Sequence, residues 1–295
     1  MIRRLLLRAL AASALAAASA TAEEPASLLD SRWELLPESK LGTFGLRFHQ
    51  PVYLLPWFAT SDPNQTPASP APGHSVEVPE GLDDAEVKLQ LSFKTKIWEG
   101  VFGDTGDLWL TYTQSSRWQL YNSELSRPFR ETDYEPEGLL VFAVDRALLG
   151  WRARLVALGF NHQSNGRSEP RSRSWNRVVA AVGLERPGWT LTVRPWWRSP
   201  EVAGNEDNPD IEDFVGRADV QLVRHVRHHE IALLLRHSLR GGERSRGAAQ
   251  LDWAFPLRGD LRGHVQLFRG YGESLIDYNH LSSQVGIGVS LVEWY

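Results

Sequence analysis

The chain of 295 residues contains no cysteine. Disulfide bonds, thiol catalysis and zinc or iron–sulfur sites held by cysteine are therefore excluded. Basic residues are in the minority, with 32 lysines and arginines against 36 aspartates and glutamates. The resulting net charge of −4 argues against nucleic acid as a partner and is compatible with cation binding.

Long apolar runs are missing after residue 22. The first 22 residues themselves predict a cleavable signal peptide. They carry three arginines, then a run of Leu and Ala, then Ala20-Thr21-Ala22 before Glu23. Removing them takes away three arginines and no acid, which brings the net charge to −7. No later run approaches the roughly 20 apolar residues that a membrane helix needs. Such an exported chain can meet a membrane only as a β-barrel or at the membrane surface.

Apolar and polar residues alternate through most of the remaining chain, in segments of about ten residues. Within residues 87–97, for example, Leu91 and Phe93 alternate with Ser92 and Lys94. Alternation fits both a soluble β-sandwich and an outer-membrane barrel. The export signal, the aromatic end Trp294-Tyr295 and the 12 tryptophans favour the barrel. The sequence therefore predicts an all-β fold, a transmembrane antiparallel β-barrel.

The alternating segments number 12, an even number as in bacterial barrels. Connections after the first, third, fifth, seventh and eleventh segments are the longer ones, so odd strands are predicted to run outward. Residues 23–42 are predicted to form an N-terminal periplasmic segment and residues 43–295 the barrel, whose last residue, Tyr295, is expected to be recognised by the outer-membrane insertion machinery. The predicted strands lie near residues 43–58, 86–98, 106–118, 136–147, 151–164, 175–186, 188–199, 213–226, 229–239, 247–257, 260–271 and 283–294.

The stretch NHQSNGR, residues 161–167, places His162 and Ser164 on the same parity as the outward apolar residues of their strand. The outward parity of the next strand leads back to Asn176. If the hairpin is symmetric about residue 169, His162 and Asn176 are directly opposed, with Cβ atoms about 4.5 to 5.5 Å apart. A serine nucleophile needs a base, and the base works best when a third group fixes its tautomer. Polar residues that gather where a strand leaves the bilayer explain the stretch equally well on pattern alone.

The location of this stretch, beside outer-leaflet acyl chains, indicates a lipid ester as the substrate. A GxSxG nucleophile elbow is absent, so an α/β-hydrolase is not supported. An Asn in the orienting position carries no charge, so the tetrahedral intermediate would need other electrostatic help.

Gln114 falls on the lipid-facing parity of the third predicted strand, together with Leu110 and Tyr112. A bare amide in hydrocarbon is costly unless it is paired. A hydrogen bond across a dimer interface and a position near the headgroups both explain this residue.

Four stretches closely resemble the outer-membrane phospholipase A family, and the resemblance extends over essentially the whole chain after the signal peptide. The spacing of His-x-Ser, with an Asn twelve residues after the Ser, is specific to it. The stretches are YNSELSRPFRETDYEP (121–136), NHQSNGRSEPRSRSWNR (161–177), NPDI (208–211) and GYGESLIDYN (270–279).

This resemblance implies a calcium-dependent phospholipase A1/A2 of the bacterial outer membrane. Such an enzyme hydrolyses acyl ester bonds of phospholipids and lysophospholipids, is active as a homodimer, and has its active site facing the outer leaflet. Ser164 is then the nucleophile, His162 the base and Asn176 the orienting residue. The backbone N–H of Gly166 is implied as an oxyanion donor.

The resemblance also implies how Ca²⁺ is held. The carbonyl of Arg167 and the hydroxyl of Ser172 are the expected ligands, joined by Ser126 of the partner subunit. Oxygen ligands suit a hard cation. Glu169 stands where family members often have Asp, and Gln114 falls in the dimer interface.

Two other functions fit a barrel with a polar rim. One is a small porin-like channel, which would conduct ions and release no fatty acid. The other is a structural barrel without catalysis. A lumen parity rich in Arg, Asp, Gln and His predicts a barrel of 12 strands that is filled by its own side chains.

Overall fold

The computed structural model describes residues 27–202, 204 and 206–292. Within them a short helix, α1 (Leu28–Trp33), precedes 13 strands, and single turns of 3-10 helix lie at Pro37–Ser39, Ile211–Asp213 and Gly242–Arg244. The strands are β1 (Arg47–Phe48), β2 (Val52–Thr60), β3 (Ala85–Trp98), β4 (Asp107–Trp118), β5 (Phe129–Leu148), β6 (Trp151–Ser164), β7 (Ser174–Arg186), β8 (Trp189–Ser199), β9 (Ala218–Val226), β10 (His229–His237), β11 (Gly247–Arg258), β12 (Leu261–Gly270) and β13 (Ser282–Val292).

The strands close into one antiparallel barrel. From β2 onward each strand pairs with its neighbours in sequence, and β13 returns to pair with β2. Both β1 and β2 pair with β3, through Arg47 opposite Lys94 and Tyr53 opposite Gln90, so they are two halves of one barrel position. The interruption includes Pro51, which has no N–H for the ladder. The prediction of a 12-stranded antiparallel barrel is confirmed.

The predicted start of the fourth strand, residue 136, is wrong, because β5 already begins at Phe129. The added residues include Glu131, Asp133 and Glu135, an acidic run that is typical of a loop when read without its surroundings. In the barrel Glu131 and Asp133 are buried, and Asp133 forms an ion pair with Arg117 at 2.9 Å. Pairing inside the barrel therefore overrides the low strand preference of these acids.

The predicted start of the eighth strand, residue 213, is also wrong, because β9 begins at Ala218. Phe214 lies in the preceding loop and packs edge-on against Tyr271 and Tyr278, with ring centroids 5.3 and 5.8 Å away. Gly216 follows with φ +109°, and a Cβ there would lie 2.5 Å from the carbonyl oxygen of His237. This sharp turn separates Phe214 from the strand whose parity it matches.

The two faces of the barrel wall differ as the alternation predicts. On β6 the outward residues Val156, Leu158 and Phe160 are 41%, 54% and 49% exposed, whereas the inward residues Leu155 and Ala157 are each 3% exposed. An apolar outer face over a polar interior is the arrangement of a membrane barrel.

Charged side chains fill the lumen and pair with each other across it. Arg117 forms ion pairs with Asp133 and Glu273, each at 2.9 Å, and Lys88 reaches Glu273 at 2.7 Å. Lys88 also donates a hydrogen bond to Gln266 of β12 at 2.7 Å. The interior is therefore crossed by side chains rather than open.

Connections at the two ends of the barrel differ in length. One end, called here the long-loop end, carries the loops 61–84, 119–128, 165–173, 200–217, 238–246 and 271–281. The loop 238–246, which follows the ninth strand position of the barrel, is also long, although it was not among the connections predicted to be long. At the other end, four of the connections are turns of two residues, 149–150, 187–188, 227–228 and 259–260.

Both ends of the lumen are covered by chain. At the short-turn end Ser27 caps α1 by accepting a hydrogen bond from the N–H of Asp30 at 3.0 Å, and Leu29 is fully buried against the wall. At the long-loop end the loop 271–281 folds inward, where the N–H of Leu275 donates to Asp133 at 3.1 Å.

Two predicted features lie outside the described residues: the signal peptide, residues 1–22, and the aromatic end Trp294-Tyr295. In the part of the chain that the structure describes, no helix has the length and apolar character needed to cross a membrane.

Candidate active site

The hairpin of β6 and β7 brings the predicted polar residues together on the outer face, at the long-loop end. His162 is directly opposite Asn176, as the hairpin symmetry predicts, and Ser164 is opposite Ser174. His162 and Ser164 follow Phe160 on the outward parity of β6. The spacing of two residues is therefore what puts His162 and Ser164 on the same face.

One short hydrogen bond joins His162 and Asn176. The Nδ1 atom of His162 lies 2.8 Å from Oδ1 of Asn176. An amide oxygen only accepts, so Nδ1 carries the hydrogen and donates it. In the neutral imidazole, this tautomer leaves Nε2 without a hydrogen and able to accept a proton, as a general base requires.

Ser164 is the next outward residue along β6, and it is half-buried. Among the described residues, none forms a hydrogen bond with its hydroxyl. The structure thus joins two of the three predicted residues by a hydrogen bond and places the third beside them. Catalytic hydrogen bonds often tighten only when substrate is bound.

Tyr134 of β5 borders the serine, and the sequence reading missed it. Its register places it opposite Ser164 on one side and opposite Gln114 on the other, so these three residues form a row across the outer face. Gly166 adopts φ +62°, and a Cβ there would lie 3.2 Å from the Tyr134 ring. The row is visible in the sequence only once β5 is known to begin at Phe129.

Asn165 shapes the loop that carries Gly166 and Arg167. Its Nδ2 donates to Glu131 at 2.9 Å and to the carbonyl of Arg171 at 2.7 Å. Its Oδ1 accepts from the N–H of Arg173 at 3.0 Å. Because Asn165 is almost fully buried, these bonds fix the course of the loop directly after Ser164.

Oxygen atoms cluster around Ser172. Its hydroxyl donates to Oδ2 of Asp207 at 2.7 Å, and the hydroxyl of Ser174 donates to the same atom at 3.2 Å. His74 of the loop 61–84 contacts the other carboxylate oxygen of Asp207 at 3.0 Å. Asp207 was missed from the sequence, because it lies 35 residues from Ser172 and in a different loop.

The candidate metal ligands near Ser172 are oxygen atoms. Among the described residues, no group of three or more His, Cys, Asp or Glu side chains is arranged to hold a metal ion. The hydroxyl of Ser172, the carbonyl of Arg167 and the carboxylate of Asp207 are the donor types that Ca²⁺ prefers. Ser126 lies apart, exposed in the loop 119–128 with φ +60°.

Gln114 lies on the outward parity of β4, as predicted, and is held within its own chain. Its Oε1 accepts from the hydroxyl of Tyr112 at 3.0 Å, and its Nε2 donates to Ser116 at 3.4 Å. Leu110, on the same parity, is 47% exposed. The amide thus lies between two hydroxyl groups on the outer face of the barrel.

Comparison with known proteins gives consistent matches. The family model described as phospholipase A1 matches residues 29–291. The phospholipase A1 of Escherichia coli K12 is 43% identical over 207 residues, which are 70% of this chain and 69% of the relative. A Neisseria meningitidis serogroup B protein, whose name assigns it provisionally to phospholipase A1, is 45% identical over 253 residues. That match covers 84% of this chain and 65% of the relative, just under two thirds of its length.

Solved structures give the same result. The outer membrane phospholipase A of Escherichia coli has a TM-score of 0.76 at 37% identity, covering 85% of this chain and 95% of that one. A variant of it at pH 6.1, with an active-site asparagine changed to alanine, has a TM-score of 0.79 at 35% identity and covers 91% and 100%. The Salmonella typhi outer membrane phospholipase, a dimer with bound calcium, has a TM-score of 0.76 at 37% identity, covering 85% and 94%.

Proposed function

The chain belongs to the phospholipase A1 family, and from that premise we propose that it is a calcium-dependent serine hydrolase which cleaves acyl esters of phospholipids and lysophospholipids at both A1 and A2 positions. The observation that carries the proposal is the outward pair of His162 and Asn176, 2.8 Å apart, with Ser164 two residues along the same face. This face meets acyl chains when the barrel spans an outer membrane.

The proposed reaction begins when Oγ of Ser164 attacks the ester carbonyl. The serine proton passes to Nε2 of His162, whose other nitrogen is held by Asn176. His162 then gives that proton to the departing lysophospholipid or glycerol oxygen. In the second half, His162 takes a proton from water as the water oxygen attacks the acyl carbonyl. His162 then returns that proton to Oγ of Ser164 as the bond between the acyl carbon and Oγ breaks and the fatty acid leaves.

Negative charge develops on the ester oxygen during both steps. The N–H of Gly166, in the loop that Asn165 fixes, is the proposed protein donor. The proposed calcium ligands are Arg167 and Ser172 of one subunit and Ser126 of the partner subunit. Asp207 offers a further oxygen beside Ser172. Bound calcium would supply the electrostatic stabilisation that the neutral Asn176 does not.

Homodimerisation is proposed through the outer face that carries Gln114. Two observations support it: the polar row of Gln114, Tyr134 and Ser164 on this face, and the calcium-bound dimer of the Salmonella typhi relative. A dimer along this row would bring a second subunit next to the serine. It would also let an exposed loop residue such as Ser126 complete the partner's calcium site.

The experiment that tests the hydrolase is fatty-acid release from detergent–phospholipid mixed micelles, with calcium or with a chelator. We expect release by the wild type in calcium, and a fall of at least about a thousandfold for Ser164→Ala. Ser283→Ala removes another outward-parity serine, on β13, and should leave the rate unchanged. Release that persists in chelator, or in Ser164→Ala, contradicts the mechanism.

No observation favours a porin-like channel. Lys88, Arg117 and Glu273 are paired inside the lumen, and both ends are covered by chain. Ion conductance in planar bilayers without calcium-dependent release would favour the channel over the enzyme.

A further inference from the structure

The side chain of Asn176 has neighbours on both sides. Asn176 is paired with His162 on β6 and with Ser199, the last residue of β8. Glu201 follows Ser199 by two residues, just beyond the strand. The Nδ2 atom of Asn176 donates a hydrogen bond to Oε1 of Glu201 at 3.2 Å. The amide thus bridges the imidazole and a carboxylate.

The carboxylate decides which way the amide faces. A carboxylate only accepts hydrogen bonds, so it binds the NH₂ end of Asn176 and turns the oxygen end toward His162. A flipped amide would present NH₂ to Nδ1 and would favour the wrong imidazole tautomer. The charge of Glu201 also polarises the amide, which makes Oδ1 a stronger acceptor for the imidazolium that forms during reaction.

The surroundings of Glu201 keep this interaction from being screened away. The residue is half-buried. Its pKa is raised by burial and by the nearby carboxylates of Asp207 and Glu206, while the positive charge of Arg198 lowers it. Its backbone N–H donates to Glu206 at 3.4 Å. Charge interactions are stronger in such a partly desolvated position than in bulk water.

We propose that Glu201 is a positioning residue of this site, which extends the Ser164, His162 and Asn176 triad by a fourth member. Glu201 supplies, through the amide, the negative charge that a triad with Asp would carry next to the imidazole. The inference rests on the proposed hydrolase function. Glu201 does not touch the reacting atoms, so its effect is expected in kcat and not in KM.

A double-mutant cycle between Glu201 and Asn176 tests the proposal in the full-length protein, in calcium and mixed micelles. Glu201→Gln removes the charge and should lower kcat about tenfold, with KM within about twofold. Asn176→Asp places two carboxylates together and should lower kcat further. The double variant restores one amide facing one carboxylate, with the roles exchanged, and should recover activity relative to Asn176→Asp.

The sign of the Glu201→Gln effect is the decisive readout. It should lower kcat when residue 176 is Asn and raise kcat when residue 176 is Asp. A residue that only supports the loop would lower activity in both backgrounds, and that result overturns the proposal. Glu212→Gln, an equal change at a loop acid that pairs with Arg217 at 3.7 Å, is the matched control.

Failure of the inference is distinguishable from failure of the proposed function. If the wild type shows no Ser164-dependent release, the hydrolase itself is wrong. If release depends on Ser164 but Glu201→Gln matches Glu212→Gln, only the role of Glu201 is wrong. The electrophoretic shift of folded barrels on heating shows which variants have folded before kcat is compared.

Discussion

Polar groups inside the barrel and polar groups on its outer face are held in different ways. In the lumen Arg117 has two carboxylate partners, and Glu273 in turn has two cationic partners. On the outer face His162 has a single hydrogen bond to Asn176, and the structure gives the Ser164 hydroxyl no such bond among the described residues. The lumen cluster around Arg117 and Glu273 is therefore multiply paired, whereas the outer site has few hydrogen bonds.

The difference follows from what each region must do. A buried charge needs several partners because an unpaired one carries a large desolvation cost. In the proposed hydrolase, the outer residues must instead leave a nucleophile and a base free to meet a substrate. We therefore expect lumen substitutions to change stability with little effect on chemistry, and outer-face substitutions to do the reverse.

Breaking the lumen network should have the largest effect on stability. Arg117→Met leaves Asp133 and Glu273 without a shared cation and should lower the free energy of unfolding by about 3 to 5 kcal/mol. Activity per folded molecule should stay near that of the wild type. Denaturant unfolding in detergent micelles measures the first quantity, and fatty-acid release measures the second.

The control for that change is Arg269→Met, which alters an exposed arginine on β12 and should shift stability by less than about 0.5 kcal/mol. If both variants lowered the free energy of unfolding equally, the lumen ion pairs would stabilise the barrel no more than a surface charge does. The proposed difference between the lumen and the outer face would then be wrong.

The converse variant on the outer face is Asn176→Ala. It removes the acceptor that holds Nδ1 of His162, so hydrolysis should fall about a hundredfold, equivalent to about 2.7 kcal/mol of barrier. Stability should change by less than about 1 kcal/mol, because the residue sits at the end of a strand and is half-buried. Asn279→Ala, in the loop 271–281, is the control for losing an asparagine. A stability loss larger than the rise in the activation barrier would contradict the division of roles.

The smallest expected effect concerns association. Gln114→Ala should weaken the proposed calcium-induced dimer by about 1 kcal/mol, the usual size of a polar contact within a membrane. Energy transfer between labelled subunits measures it. Leu235→Ala on β10, across the barrel from β4, should leave association unchanged. A dimer that is indifferent to Gln114→Ala would remove this residue from the interface.

Period-two alternation was enough to predict the number of strands, their faces and the pairing of His162 with Asn176. These follow from local residue order, since a strand has a fixed period and a hairpin a fixed symmetry. The start of β5 could not be predicted in this way, because its acids are stabilised by partners such as Arg117 that are distant in sequence.

The contacts of loop residues were also beyond the sequence. Asp207 meets Ser172, and Glu201 meets Asn176, only because of the course that the loop 200–217 takes. Neither residue belongs to a periodic pattern. The catalytic roles of Ser164, His162 and Asn176, and the calcium ligands, remain predictions that the variants above test.

His162 and Asn176 are directly opposite each other, so the site forms only when β6 and β7 pair in the correct register. If β6 and β7 paired one residue out of register, either His162 or Asn176 would point into the lumen while the other stayed on the outer face. Such a barrel could be inserted and compact and still be inert. If the protein is the proposed hydrolase, the first appearance of lipolysis during biogenesis would mark the moment at which β6 and β7 reach their final alignment. A misaligned copy would then provide no active enzyme.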